Sequence, residues 1–179
     1  ISEIINAKAA ITTETALQFE KVLGVPARFW INLERNYQEW QAREEERKVL
    51  EPALPWMEKF PVRDMRRLGW IERVEDPIQQ LIEMLRFFGI ASPDQWRPLY
   101  EGGNIAYRQS AAFIADPGVV SVWLRKAEID AQRMECLPYD AAKFRAALFD
   151  IRGLTTKGPE VFVPTMKQLC ANGGVAVIF

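Results

Sequence analysis

Ile11-Thr12-Thr13-Glu14-Thr15-Ala16-Leu17, followed by Gly24-Val25-Pro26-Ala27-Arg28-Phe29-Trp30-Ile31-Asn32-Leu33-Glu34, is the stretch on which the fold turns. A threonine is a good helix N-cap, because its hydroxyl can accept from an amide that the first turn leaves unpaired. Thr12 or Thr13 therefore starts a helix over 14–23, and Gly24 stops it. Pro26 suits the first turn of the next helix, where its missing N–H costs nothing. In that helix Trp30, Leu33, Tyr37 and Trp40 recur at spacings of three and four and form one apolar stripe, read as core of the N-terminal module rather than as a dimer seam. Upstream, Ile4 and Ile5 belong to a short helix ending near Asn6-Ala7-Lys8. Downstream, Gln41 to Lys48 is strongly charged and reads as a solvated extension.

Beyond this stretch the punctuation stays helical. Pro52, Pro55 and Pro61 break the pattern and place a linker at 51–61. Asp76-Pro77-Ile78-Gln79 reads as a helix start with a capping box, and Ser92-Pro93-Asp94-Gln95 repeats the signal after Gly89. Gly102 and Gly103 mark a loop, and Val119, Val122, Trp123 and Ala127 define a further helix. Phe144, Leu148 and Ile151 line a helix capped by Asp140, and Met166, Leu169 and Cys170 line another that ends at Asn172-Gly173. Gly174 to Phe179 is an apolar run with strand character.

Composition limits the function. The 179 residues include no histidine, so neither a Ser-His-Asp triad nor a His-Glu-x-x-His zinc site can be assembled from them. Walker A and Gly-x-Gly-x-x-Gly sequences are absent too, and the chain is read as non-enzymatic, with no cofactor and no metal. Six Trp and ten Phe supply a substantial core, while 26% charged residues favour a soluble, cytoplasmic protein without a membrane partner. Cys136 and Cys170 are too few for a disulfide framework and are read as small buried apolar residues. A start at Ile1 and a closing strand without a visible partner point to a piece of a longer protein.

Ile1-Ser2-Glu3-Ile4-Ile5-Asn6-Ala7-Lys8, taken with the two segments quoted first, resembles HigA-type antitoxins of the XRE helix-turn-helix family over about forty residues. One departure is Ala7, where many relatives carry glycine at the helix C-cap. The resemblance implies a partial, lambda-repressor-like head that keeps the later part of its recognition helix. Ser2, Glu3 and Asn6 would then lie near base edges or the groove wall, and Lys8 would face phosphate. Thr12 and Thr13 would set the next helix N-terminus against the DNA backbone. A more diffuse resemblance, on Trp96, Tyr107-Arg108-Gln109-Ser110, Phe113, residues 122–128, 169–171 and 174–177, is to the segment that joins such a head to an ImmA/IrrE-type metallopeptidase-like domain.

The expected architecture is thus mainly α: residues 1–50 form the C-terminal part of the head with its extended helix, 51–61 the linker, 62–173 a helical segment, and 174–179 a first strand of the truncated ImmA/IrrE-like domain. The implied function is a DNA-binding antitoxin that represses its own operon, with operator DNA, a RelE/HigB-like toxin and a second copy of itself as partners. Two other readings stay open. One is a regulatory ImmA/IrrE-type zinc metallopeptidase whose catalytic part lies outside this chain, and the other is a helical protein-interaction scaffold.

Overall fold

The computed structural model describes Ile4, residues 9–100 and residues 116–179. The chain is mainly α-helical and divides into two compact units, the first comprising residues 1–55 and 76–81, the second 56–75 and 82–179. No helix among the described residues is long and apolar enough to cross a membrane.

The first unit is built on helices α1 (Thr13–Leu23) and α2 (Ala27–Leu50). Thr12 is extended, and its hydroxyl accepts from the Thr15 amide at 3.2 Å. At the other end Gly24 adopts φ 70°, which lets its amide reach the Glu20 carbonyl at 3.0 Å. Only glycine adopts that conformation without strain. The Glu20 carboxylate accepts from the Ala27 amide at 2.5 Å, giving the first N–H of α2 a partner that Pro26 cannot supply. The two helices meet where Phe19 packs edge-on against Trp30, ring centroids 5.1 Å apart, beside the fully buried Ala16.

The stripe on α2 does not behave as a core. Leu33, Tyr37 and Trp40 are 50%, 45% and 58% exposed, whereas Trp30 is mostly covered. Periodicity reports that an apolar face exists; whether anything lies on it depends on a partner element, and among the described residues α1 packs on the start of α2. The charged second half carries short-range pairs such as Glu39–Arg43 at 2.5 Å and Glu45–Lys48 at 3.1 Å, all exposed, which contribute little to stability.

Asp76 has two roles. One carboxylate oxygen accepts from the amides of Ile78 at 2.8 Å and Gln79 at 3.1 Å, capping helix α4 (Pro77–Phe88), while the other accepts from Arg47 at 2.8 Å. The bond from Arg47, then those from the Gln79 and Ile78 amides, hold the Asp76 carboxyl below its ordinary value of 3.8. Because the folded pKa is depressed, this stabilisation is complete above pH 3.8 and is lost as pH falls through the folded value. Asp76→Asn, which still caps, is expected to melt below the parent at about pH 7, with the gap narrowing as pH falls below 3.8 through the folded value. Thermal melts across that range check this, and a gap independent of pH would show that the ion pair is inert.

The proline-bearing stretch 51–61, read as a linker, contains the division between the units, after Pro55, and its later part contributes to the core of the second unit. Residues Glu51–Lys59 form a 3-10 helix that ends in this unit. Trp56 and Phe60, 9% and 7% exposed, pack edge-on at 4.6 Å. They meet Phe88 of α4 (Pro77–Phe88) and Trp96 at the start of α5 (Trp96–Tyr100), each 2% exposed. Between them, helix α3 (Val62–Arg67) buries Met65 completely. Ser92 starts a three-residue 3-10 turn without a side-chain cap, and the Gln95 side chain instead accepts from the Ala91 amide at 2.8 Å.

Helix α6 (Pro117–Gln132) closes this core. Asp116 caps it by accepting from Gly118 and Val119. The Trp96 indole donates to Ser121 at 3.2 Å, and Ser121 donates onward to the Gly118 carbonyl at 2.8 Å, so these buried polar groups are satisfied. Arg125 reaches the Phe87 carbonyl at 2.8 Å and pairs with Glu128 at 3.0 Å. Tyr107, Arg108, Gln109, Ser110 and Phe113, like the loop glycines 102 and 103, lie outside the described residues.

Helices α7 (Ala141–Gly153) and α8 (Pro159–Asn172) pack together near the C-terminus. Asp140 caps α7 through the amides of Ala142 and Lys143 at 2.9 and 3.1 Å. The expected strand at 174–179 does not form among the described residues. A strand needs a neighbour offering alternating donors and acceptors. Here the Val175 amide bonds back to Cys170 at 2.9 Å, and Phe179 returns to within 6.1 Å of Phe162. Cys170 is buried, as expected, and burial raises its thiol pKa; Cys136 is exposed, because its segment lies beyond the end of α6.

Candidate nucleic-acid interface

Of the six residues expected at DNA, Ser2, Glu3, Asn6 and Lys8 lie outside the described residues. Thr12 and Thr13 are described, and both are exposed at the N-terminus of α1. Thr12 is occupied by capping: its hydroxyl serves the Thr15 amide and lies 3.0 Å from the Thr15 hydroxyl, while its carbonyl accepts from Ala16 at 2.9 Å. The amides of Thr13 and Glu14 have no carbonyl one turn earlier within the helix, and the dipole adds partial positive charge there. This end can accept an anionic oxygen, with the Thr13 hydroxyl as a further donor. The Glu14 carboxylate stands in the same turn and opposes an anion.

The orientation of this helix end is set by contacts within the unit. The Ile11 amide donates to one oxygen of Glu34 at 2.9 Å, and Gln38 donates to the other at 2.7 Å, so Glu34 ties the loop before α1 to the flank of α2. Sequence reasoning missed Glu34, since a tie across 23 residues leaves no periodic trace. Beside it an open groove of about 420 Å³ is lined by Ile4, Ile11, Leu33 and Tyr37 among others. Groove and exposed stripe together make one apolar surface on α2. Among the described residues no group of three or more His, Cys, Asp or Glu side chains is placed to hold a metal ion.

No protein-family model, no curated protein and no solved structure matches the chain.

Proposed function

We propose that the first unit belongs to the DNA-binding head of an antitoxin that represses its own operon, with α1 set end-on to the phosphate backbone. The observation that carries this reading is the exposed, threonine-capped N-terminus of α1, where Thr13 keeps a solvent-facing side beside amides that have no carbonyl one turn earlier within the helix. The similarity of residues 1–34 to HigA-type heads supports it, as does the uncovered Leu33-Tyr37-Trp40 face, which suits a homodimer whose two-fold symmetry matches a palindromic operator. The partner toxin, of RelE/HigB type, rests on that similarity. A scaffold role for residues 62–173 draws support from Trp123 and Phe149, 59% and 72% exposed.

A salt-dependent mobility shift on the promoter of its own gene tests the reading. Lys8→Ala is expected to weaken binding about equally on operator and random DNA and to make the salt slope shallower by about one. Thr13→Val, which keeps the shape and removes the donor, is expected to cost about fivefold, roughly 1 kcal/mol. Binding to the operator no tighter than to random DNA would overturn the proposal.

A further inference from the structure

The second unit carries a cleft of about 390 Å³ formed by the turn after α3, one side of α4 and one side of α6. Its apolar wall consists of Trp70, Phe87 and Ile129, and its polar rim of Glu83, Arg86, Lys126 and Arg133. The size lies in the range of small-molecule sites, which combine apolar walls with a few converging polar groups.

Charge decides which ligand would fit. Arg86 is answered by Glu83 at 2.6 Å, and Lys126 forms a close ion pair with Asp130. Arg133, exposed, has no ion-pair partner among the described residues, so the rim keeps one uncompensated positive charge. Lys126 on α6 and Arg133 at its C-cap, seven residues apart, lie about two turns from one another and line the same cleft. Trp70 is held edge-on by Trp123 at 5.1 Å, with the Lys126 ammonium 5.9 Å from its ring centre. Lys126 thus lies over the Trp70 ring and is neutralised by Asp130, which leaves a flat ring to rest on the apolar wall of Trp70, Phe87 and Ile129 while an acidic group meets Arg133.

We propose that this cleft binds a small planar aromatic anion, a ring bearing a carboxylate or a phosphate. The ring supplies stacking and apolar burial, and the anion supplies a charge-assisted contact to the arginine, which presents several donors in one plane. The site belongs to the second unit alone and does not depend on the DNA-binding reading of the first.

Calorimetric titration of the full chain with 2-naphthoate and with adenosine 5′-monophosphate tests this, using 2-naphthalenemethanol and adenosine as neutral counterparts. At least one anion is expected to bind with one-to-one stoichiometry, more tightly than its neutral counterpart, and more weakly as salt rises. Arg133→Gln should weaken it about fivefold, while Trp70→Leu should weaken the anion and the neutral ring alike. Arg133 is exposed and unpaired among the described residues, so its replacement should leave the melting curve unchanged. The carboxylate and phosphate arms separate the two acid types. No saturable heat with either anion, equal affinity for the neutral compounds, or an unchanged affinity in Arg133→Gln would each overturn the proposal.

Discussion

Replacing Trp96 by alanine is expected to destabilise the second unit by about 3 to 5 kcal/mol, a large share of the roughly 5 to 15 kcal/mol that keeps a domain folded. The side chain is 2% exposed and touches Trp56, Phe60 and Tyr100 with ring centroids between 5.3 and 6.5 Å away. Removing it opens a cavity among rings that cannot collapse without leaving their own contacts. It also removes the indole donor to Ser121, although the Ser121 hydroxyl keeps its bond to the Gly118 carbonyl. Trp96→Phe should consequently cost less than Trp96→Ala. Leu99→Ala, three residues along and 54% exposed, should change stability by about 0.5 kcal/mol or less. Urea denaturation followed by tryptophan fluorescence and by near-ultraviolet circular dichroism measures all three. Similar losses for Trp96→Ala and Leu99→Ala would contradict an aromatic core centred on Trp96.

The second large effect is expected at Gly118, and its control carries the opposite sign. Gly118 sits in the first turn of α6 with its backbone against the end of the 3-10 helix, and a Cβ there would fall on the Lys59 carbonyl oxygen. That oxygen belongs to backbone, so relief requires α6 to move away from the rings it covers. Gly118→Ala is therefore expected to cost at least about 2 kcal/mol, in the range of overpacked sites or above it. Gly153, the last residue of α7, has nothing within 4 Å of where an alanine methyl would stand, and no positive φ. There alanine should be neutral or stabilising by up to about 1 kcal/mol, because it restricts the unfolded chain and favours helix. Two Gly→Ala changes in one protein would then shift the denaturation midpoint in opposite directions. A midpoint for Gly118→Ala equal to that of the parent would mean that α6 does not lie against Lys59.

These effects are largest where residues distant in sequence converge, and that is also where the sequence was least informative. Trp56 and Phe60 stand four apart, the spacing of a buried helical pair, yet Pro52, Pro55 and Pro61 around them point to a break. Proline removes one amide and fixes one dihedral, which a 3-10 turn accommodates, so the prolines bend the chain without taking it out of the core. The Leu33-Tyr37-Trp40 face shows the opposite case, a pattern that reads as core and lies open.

What the sequence by itself determined was helix class and helix ends. Thr12, Gly24, Asp76 and Asp140 act at the positions where their residue types suggest, because a cap is completed within two to four residues and needs no distant partner. Tertiary structure alone decided which apolar faces are covered, that Glu34 reaches back to Ile11, that Gly118 admits no side chain, and that Trp70, Arg86 and Arg133 share one cleft. Each of these depends on what another helix places within a few ångströms, a relation that spacing along one helix does not encode.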